Sequence, residues 1–396
     1  MRILSIHNEY QIRGGEDESC ASEEQLLRDN GHEVVSFKEH NDRIKTLGKI
    51  TLAANTIWSR TSYQTVDNLL KEQPFDIVHV QNFFPLISPS VYYAAQRRGV
   101  PVIQTLRNYR LLCPNGLFFR QGSVCEDCLG KVIPYPGIVH SCYREDRAAS
   151  TMVTAMVSTH RAFKTWTQAV DRYISLTHFA RNKFIEGGFP ADNIVVKPNF
   201  VAPDPGPGDG LGGYALYVGR LSVEKGLNIL LEAWPTLEKP MPLKIVGDGP
   251  LSEYVAQMCD RYSHIEWLGR RPMSEVHNLM GNAALLVFPS KWYETFGRVA
   301  VEAFAKGTPV VASRIGAIAE LITHQQTGLL FNPGDAEDLA VQVNWLNSHP
   351  QQLITMRATV RSEYTDKYTP EINYQQLMDI YHSVTEQKHD APKNSQ

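Results

Sequence analysis

The sequence predicts an α/β protein made of two doubly wound, Rossmann-like domains. Short apolar runs alternate with helical stretches along the 396 residues, a pattern typical of parallel strands joined by crossover helices. The alternation is interrupted once, by the Pro- and Gly-rich segment at 202–213, and then starts again. A chain of this length also exceeds one ordinary domain. We therefore expect domains at 1–200 and 214–370, joined by a linker at 201–213, with a deep cleft between them.

The first domain is expected to contain six strands, the last of them at 194–198. A helix should follow the first strand and end near Asn30, and others should lie near 90–98, over 147–170 and from His178 onward. Apolar runs that are rich in Val and Ile are typical of parallel strands covered on both faces. The predicted strands are 2–7, 32–37, 76–81, 101–106, 173–176 and, as the edge strand, 194–198.

The second domain repeats this order after the linker. Helices are expected at 227–234, 251–259 and 274–280, and a further helix should open at Thr295-Phe296-Gly297. The predicted strands are 214–218, 243–247, 265–268, 283–288 and 309–313. The polar tail at 387–396 is expected to be disordered.

Composition and charge exclude several classes of protein. The chain is 43% hydrophobic and 20% charged, as in soluble globular proteins, and it has no apolar run of about 18 residues that could span a membrane. The apolar part of the N-terminus is too short for a signal peptide, so we expect a cytoplasmic protein. A net charge of −3 gives no reason to expect nucleic acid as a partner.

A basic segment around Trp58 leaves two interpretations open. It contains Arg43, Lys45, Lys49 and Arg60 among apolar residues. Such a segment could rest on an anionic membrane surface, or it could be a surface helix that packs its apolar side on the sheet.

Two glutamates flank the start of the helix that follows strand 283–288. Glu294 lies at the carboxyl end of that strand, and Glu302 follows on the helix with seven residues between them. Ligands of open α/β sheets bind outside the carboxyl ends of the strands, and free N–H groups are expected near Phe296 and Gly297. This pattern suits a ligand with hydroxyls and phosphates. In isolation, Glu302 could equally be a solvated helix residue.

The stretch 285–320 resembles the E-x7-E signature of retaining GT-B glycosyltransferases of family 4. Ala317 stands where the family usually has a second glycine. The matching residues are PS at 289–290, E-TFG at 294–297, EA at 302–303, G-PVVAS at 307 and 309–313, and Gly316 and Glu320.

The resemblance implies a hexosyltransferase-type enzyme (EC 2.4) with the GT-B fold and without a catalytic metal. Its donor would be a nucleotide-sugar of the UDP or GDP type. Its acceptor would be a glycan or a polyprenyl-linked sugar in bacterial surface polysaccharide, lipopolysaccharide or exopolysaccharide synthesis, at the inner face of the plasma membrane. In such proteins the last helix, here 371–386, crosses back to the first domain.

The resemblance also implies roles for single residues on the donor side. Glu294 would bind hydroxyls of the donor sugar, and Glu302 would bind the ribose. Arg220 and Lys225 match the R-x4-KG clamp for the diphosphate, although alone they would be read as two surface cations. No D-x-D triplet occurs in the chain, so cations and helix amides would have to stabilise the leaving group. Further donor-side matches are Phe296, Gly297, Gly219, Gly247, Gly249, Asn199 in the KPN turn, and the glycine loop at Gly14 and Gly15.

On the acceptor side, a polar triplet ends strand 101–106. Arg107 occupies a position where the family commonly has His, and Asn108 and Tyr109 follow it. Arginine cannot act as a base at neutral pH. It could bind an anionic sugar or an acceptor phosphate, or it could indicate reduced activity.

Four of the six cysteines fall within the insertion at 111–145. Cys113, Cys125, Cys128 and Cys142 have the spacing C-x11-C-x2-C-x13-C, which in a cytosolic protein favours a structural Zn²⁺ site over disulfides. Reduced thiols or a redox pair are the alternatives, and His140 beside Cys142 leaves the ligand set open.

Two other functions are compatible with these residues. A degenerate transferase that only binds, as a scaffold, is favoured by Arg107 and opposed by the complete set of Glu294, Glu302, Arg220 and Lys225. A GT-B nucleotide-sugar epimerase would need no acceptor, and the E-x7-E spacing argues against it.

Overall fold

Parallel strands and crossover helices alternate along the chain in a computed structural model, which describes residues 1–390. The strands are β1 Arg2–Glu9, β2 Glu33–His40, β3 Ile77–Asn82, β4 Val102–Leu106, β5 Phe119–Arg120, β6 Ser123–Val124, β7 Arg172–Ser175, β8 Ile194–Val196, β9 Ala215–Val218, β10 Leu243–Val246, β11 Ile265–Gly269, β12 Leu285–Phe288, β13 Val310–Ser313 and β14 Gly328–Phe331.

The helices fill the connections between these strands. They are α1 Gly15–Asp29, α2 Lys49–Ile57, α3 Arg60–Glu72, α4 Ser90–Arg97, α5 Pro136–Val139, α6 Arg147–Ala162, α7 Thr165–Gln168, α8 His178–Glu186, α9 Leu227–Ala233, α10 Ser252–Arg261, α11 Met273–Asn282, α12 Arg298–Ala305, α13 Gly316–Leu321, α14 Ala336–Ser348, α15 Pro350–Lys367 and α16 Pro370–Asp390.

The chain divides into two units. The first unit contains residues 1–117 and 126–198 and the chain from Asn373 onward, and the second contains 118–125 and 199–372. Each unit holds one six-stranded sheet in which every strand pair is parallel. The prediction of two doubly wound α/β domains is confirmed.

The sheet of the first unit has the strand order β2-β1-β3-β4-β7-β8. Apolar side chains from four of its strands form one core with α1 and α16, and all of them are buried. These residues are Ile3, Leu27, Ile77, Ile103, Ile174, Leu377, Met378, Tyr381 and Val384. The last helix is therefore part of the first unit's core. Its helical residues extend to Asp390, and the rest of the predicted tail lies outside the described residues.

The sheet of the second unit has the order β11-β10-β9-β12-β13-β14. Strands β9 and β12 are neighbours at its centre, so the loops that follow them emerge side by side at the carboxyl edge. The edge strand β14 was not predicted from the sequence. It pairs with β13 from Val310↔Gly328 to Ser313↔Phe331.

Two segments differ from the sequence prediction. The helix expected over 147–170 ends at Ala162, because Lys164 adopts a left-handed conformation with φ +55° before α7. The basic segment around Trp58 forms a 3-10 turn and the two helices α2 and α3. Within residues 1–390, no helix combines the length and the apolar character needed to cross a bilayer.

Candidate active site

The carboxylate of Glu294 is held at the carboxyl edge of the second sheet by three donors. Strand β12 ends at Phe288, and the following loop carries Ser290, Trp292 and Glu294. The Ser290 hydroxyl and the Trp292 indole N–H donate to Glu294 Oε1, each at 2.9 Å, and Lys225 Nζ donates to the same oxygen at 2.6 Å. Only 8% of Glu294 is exposed. The acid is therefore buried and ionically paired.

Lys225 approaches this acid from the neighbouring loop, which follows β9. Its ammonium lies 5.3 Å from the ring centre of Trp292 and 5.9 Å from that of Phe288, distances at which a cation is attracted to a ring face. About a quarter of the side chain (26%) remains exposed. The structure thus brings together two of the predicted catalytic residues, and a small ligand could still reach the ammonium.

Arg220 lies exposed in the same loop. Its carbonyl accepts a hydrogen bond from the buried Tyr217 hydroxyl at 2.8 Å, and burial, with the nearby Glu294 and Glu224, raises the pKa of Tyr217 well above its usual value. Among the described residues, no group hydrogen-bonds the Arg220 guanidinium. The loop is fixed while the cation itself faces solvent.

The loops after β9 and β10 meet backbone to backbone. Gly247 has φ +139°, and a Cβ there would lie 1.9 Å from the carbonyl oxygen of Gly219. A Cβ on Gly249 would lie 2.5 Å from the Leu221 carbonyl oxygen. The Leu221 amide also donates to the Asp248 carbonyl at 3.0 Å. Two predicted donor-side glycines, Gly247 and Gly249, are therefore required by this close approach within the protein itself.

Helix α12 begins one residue after Gly297, later than the sequence suggested. Gly297 is its N-cap with φ +147°, and a Cβ there would meet Ile318 Cδ1 at 2.3 Å. Phe296 is buried, and its ring centre lies 6.2 Å from that of Tyr368. The amides of the first turn of α12 remain the predicted anion-facing groups, whereas the Phe296 side chain packs in the core.

Glu302 is buried on α12 and is not a solvated helix residue. Only 2% of it is exposed, and its Oε1 accepts a hydrogen bond from Arg298 Nε at 2.8 Å. A buried carboxylate requires such a partner. Asn199, also predicted on the donor side, is 9% exposed and belongs to the same unit.

In the first unit, the glycine loop is ordered by Asp17. Gly14 is the N-cap of α1, and its amide donates to Asp17 Oδ2 at 3.0 Å, while His7 Nε2 lies 2.8 Å from Asp17 Oδ1. Burial alone would raise the pKa of Asp17, but the hydrogen bonds from His7 and Gly14 lower it. A Cβ on Gly14 or Gly15 would have no atom within 4 Å, so open space faces both glycines.

Glu16 is a polar residue that sequence reasoning missed. Its Oε2 accepts from the Tyr10 hydroxyl at 3.1 Å and lies 3.5 Å from Asn108 Nδ2. Its Oε1 is buried, and within the described part of the chain it has no hydrogen-bond partner. Burial raises the pKa of Glu16, and the nearby Arg107 opposes this. None of the motifs found in the sequence includes this position.

Arg107 lines a small pocket at the carboxyl end of β4. We call this the Arg107 pocket. Among its lining residues are Gln81, Asn82, Phe84, Arg107, Asn108 and Arg110. Arg107 Nε and Nη2 both donate to Gln81 Oε1, at 2.9 and 2.6 Å. Tyr109, the third predicted acceptor-side residue, is fully buried and stacks on Phe184 with ring centres 5.8 Å apart, so it supports the core.

A buried polar cluster lies behind this pocket. Gln81 Nε2 donates to Glu23 Oε1 at 2.6 Å, and Lys197 Nζ donates to Glu23 Oε2 at 2.9 Å. Burial would raise the pKa of Glu23, but Lys197 and His79 lower it to about 2. His79 lies 2.8 Å from both the Tyr381 hydroxyl and Thr105 Oγ1, and burial lowers its pKa to about 4.

The predicted zinc site is not supported. Among residues 1–390, no group of three or more His, Cys, Asp or Glu side chains is placed to hold a metal ion. Cys113, Cys128 and Cys142 belong to the first unit, whereas Cys125 belongs to the second, and Cys128 Sγ lies 3.7 Å from the Pro134 carbonyl oxygen. No disulfide joins any of the six cysteines, all of which are described.

Cation–π and aromatic contacts pack parts of the insertion at 111–145. The Arg110 guanidinium lies 4.2 Å from the ring centre of Phe84 and 5.0 Å from that of Tyr143. Phe118, at the base of the β5–β6 hairpin, is fully buried with its ring centre 6.3 Å from that of Tyr293 in the second unit.

Comparison with known families and proteins places both units among glycosyltransferases. Residues 212–349 match the family described as "Glycosyl transferases group 1", and residues 25–199 match the "Glycosyl transferase 4-like domain". An uncharacterized glycosyltransferase of Methanocaldococcus jannaschii is 28% identical over 226 residues, which cover 57% of this chain and 63% of the relative. The chain thus spans less than two thirds of that relative.

Two further similarities cover most of the chain. A 42.6 kDa protein in the cps region of Klebsiella pneumoniae is 25% identical over 353 residues, or 81% of this chain and 86% of the relative. The crystal structure of Anabaena HepE in complex with UDP and glucose superposes with a TM-score of 0.69 at 20% identity, covering 97% of this chain and 100% of HepE. The latter similarity confirms the GT-B fold.

Proposed function

Because the chain is a glycosyltransferase with the GT-B fold, we propose that it moves a hexose from a nucleoside-diphosphate sugar to a glycan or lipid-linked acceptor, with retention of anomeric configuration. The observation that carries this proposal is the pairing of Glu294 with Lys225 at 2.6 Å at the carboxyl edge of the second sheet. This pairing supports the proposal, because a carboxylate can accept hydrogen bonds from sugar hydroxyls and an ammonium group beside it can bind phosphate.

Each of these groups suits one part of the donor. Glu294, fixed by Ser290 and Trp292, would accept hydrogen bonds from hydroxyls of the donor sugar. Lys225 and the exposed Arg220 would bind the diphosphate, the ammonium as a point charge and the guanidinium as a planar fork. The first amides of α12 add donors for the same phosphates.

The nucleoside would lie along the other residues of this unit. Glu302, buried beside Arg298, would bind the ribose hydroxyls, and the turn at Gly247 and Gly249 would lie against the base. HepE has been solved with UDP and with UDP-glucose, which favours UDP over GDP as the nucleotide of this chain.

The reaction replaces one bond at the anomeric carbon by another on the same face. The bond from this carbon to the diphosphate oxygen breaks, and the bond to the acceptor oxygen forms. The departing phosphate oxygen takes the proton of the acceptor hydroxyl. Lys225 and Arg220 stabilise the negative charge that grows on the diphosphate, so we propose that this centre works without a metal ion.

The acceptor is proposed from the relatives alone. The Klebsiella relative lies in a cps region, which favours a sugar of a surface polysaccharide. The corresponding place of action is the cytoplasmic face of the membrane, where the basic segment at 43–60 could contact anionic lipid.

A binding protein without transferase activity is the second candidate, because Arg107 stands where a histidine is expected. The two functions differ in one assay. We would incubate the chain with UDP-glucose, UDP-N-acetylglucosamine, UDP-galactose and GDP-mannose, with and without simple sugar acceptors, and follow the release of nucleoside diphosphate. A transferase releases it from at least one donor, and NMR of the product gives the anomeric configuration. No release from any of these donors, by folded protein that binds them, would favour the second candidate.

A further inference from the structure

We propose that the Arg107 pocket binds an anionic group, a carboxylate or a phosphate ester, on the acceptor sugar. The proposal rests on the proposed function only in assigning the anion to the acceptor. The pocket itself lies entirely within the first unit, and the argument for an anion depends on its two arginines.

Arg110 is held as a flat, oriented cation at one wall of the pocket. Its guanidinium lies over the rings of Phe84 and Tyr143, and its Nη1 donates to the Pro114 carbonyl at 3.0 Å. Within residues 1–390, no carboxylate lies in ion-pairing distance of this guanidinium. Stacking uses the faces of the group and leaves edge N–H donors for an anion.

Arg107 is oriented from behind by a neutral group. Its Nε and Nη2 donate to the amide oxygen of Gln81. The nearest acid of the buried cluster, Glu23, is ion-paired with Lys197 at 2.9 Å and reaches Gln81 by a hydrogen bond from the amide nitrogen. Gln81 therefore links Arg107 to Glu23, and the positive charge of Arg107 helps to lower the pKa of Glu23.

One acid borders the pocket from the glycine loop. Glu16 Oε2 lies 3.5 Å from Asn108 Nδ2, and Asn108 lines the pocket. Burial raises the pKa of Glu16, and the nearby Arg107 opposes this, while Asp17 beside it is paired with His7. A bound anion would therefore meet two guanidinium groups and one carboxyl group, that of Glu16.

The remaining walls of the pocket add polar groups. The amide side chains of Asn82 and Asn108 offer hydrogen bonds of the kind that sugar hydroxyls make. Charge-assisted contacts from a guanidinium would then select the acidic sugar over a neutral one.

The test is to measure by calorimetry the binding of glucuronate, glucose 1-phosphate and glucose to the full chain. We expect one or both anionic sugars to bind at least about tenfold more tightly than glucose. Preference for glucuronate identifies a carboxylate, and preference for glucose 1-phosphate identifies a phosphate ester. Equal binding of all three sugars, or binding of none, would overturn the proposal.

Variants assign the effect to the two arginines. Arg107→Gln and Arg110→Gln should each weaken the preferred anionic sugar about tenfold, and Arg110→Lys should recover part of the loss. Arg110 is only half-buried, so its variants remain informative if Arg107→Gln unfolds. Arg97→Gln, an arginine on α4 whose side chain is 61% exposed, is the matched control. An equal loss in this control would contradict the assignment.

A parallel titration of the unsubstituted chain with UDP separates this proposal from the proposed function. Binding of UDP without any preference for an anionic sugar would overturn the pocket assignment alone. Binding of the anionic sugar without any nucleotide binding or donor turnover would leave the pocket assigned and overturn the transferase.

Discussion

At the scale of single residues, Lys225 connects the geometry to the reaction most directly. It contacts Glu294 and faces two aromatic rings, while a quarter of its side chain stays exposed. A residue with only a structural role would not need to remain reachable from solvent. This combination leads to the first prediction.

We predict that Lys225→Ala lowers kcat for donor turnover by at least about a hundredfold, because a positive charge beside the leaving diphosphate is lost. Lys239→Ala, an exposed lysine of the same unit, should leave kcat unchanged. Thermal unfolding should show both variants folded. Near-normal turnover by a folded Lys225→Ala protein would remove this residue from the clamp.

Some of the site's residues could be predicted from the sequence, and others could not. Glu294 and Glu302 belong to the E-x7-E motif and Lys225 to the separate R-x4-KG element, so all three could be named from the family resemblance. The partners Ser290 and Trp292 depend on how the loop after β12 folds, which no spacing encodes. Glu16 carries no motif at all, and its burial follows from the packing of Tyr10 and Asn108 against it.

At the scale of elements, Gly226 packs closely against the residue that follows strand β12, and this contact positions Lys225. Gly226 is the N-cap of α9 with φ +71°, and a Cβ there would lie 1.7 Å from the Pro289 carbonyl oxygen. The residue after Pro289 is Ser290, whose hydroxyl donates a hydrogen bond to Glu294. The close approach therefore sets the position of Lys225 against the loop after β12.

We predict that Gly226→Ala destabilises the protein much more than Gly213→Ala. Both glycines have left-handed φ values, +71° and +67°, but a Cβ at Gly213 would have no atom within 4 Å. Gly213→Ala should lower the free energy of unfolding by about 1–2 kcal/mol from backbone strain alone. Gly226→Ala should lower the free energy of unfolding by at least about 2 kcal/mol more than Gly213→Ala does. Equal losses in urea titrations would contradict the close approach.

Most elements were predictable to within one or two residues, because buried parallel strands appear as apolar runs between helices. There are exceptions. Strand β14, Gly328–Phe331, was not predicted, although it is as long as β12 and β13, which were. Helix α6 ends because Lys164 takes a left-handed conformation. A lysine in a sequence does not predict this conformation.

At the scale of the whole molecule, the last helix stabilises a unit formed by residues far away in the chain. Leu377 is fully buried in the core with Ile3, Ile77 and Ile103. Helix α16, which was predicted only from the family resemblance, thus has an apolar face that packs in the core of the first unit. Its partners could not be derived from periodicity, since an apolar stripe does not identify the surface that covers it.

We predict that Leu377→Ala lowers the free energy of unfolding of the first unit by about 2–5 kcal/mol through loss of apolar burial and the cavity left behind. Gln375→Ala, at an exposed position of the same helix, should change it by less than about 0.5 kcal/mol. Chemical denaturation of both variants provides the comparison, and a similar small effect of both would show that α16 does not anchor this core.

The stability of the first unit should also depend on pH through His79. Burial lowers the pKa of His79 to about 4 from the usual 6.5, so below pH 6.5 the unfolded chain binds a proton that the folded chain does not. Stability is therefore complete above pH 6.5 and falls as the pH approaches 4, by roughly 2–3 kcal/mol. His79→Gln should flatten this slope. An unchanged slope between pH 6.5 and 4.5 would show that His79 does not titrate as described.

The central claim is that the second unit binds a nucleoside diphosphate through Lys225, and nucleotide binding tests it most directly. We would measure the unfolding midpoint of the chain and of Lys225→Ala with UDP, GDP and ADP. A ligand at about a hundred times its Kd stabilises by about 2.7 kcal/mol. We expect UDP to raise the midpoint of the unsubstituted chain and to have a much smaller effect on Lys225→Ala. Unchanged midpoints with all three nucleotides, or an equal rise in both proteins, would contradict the claim.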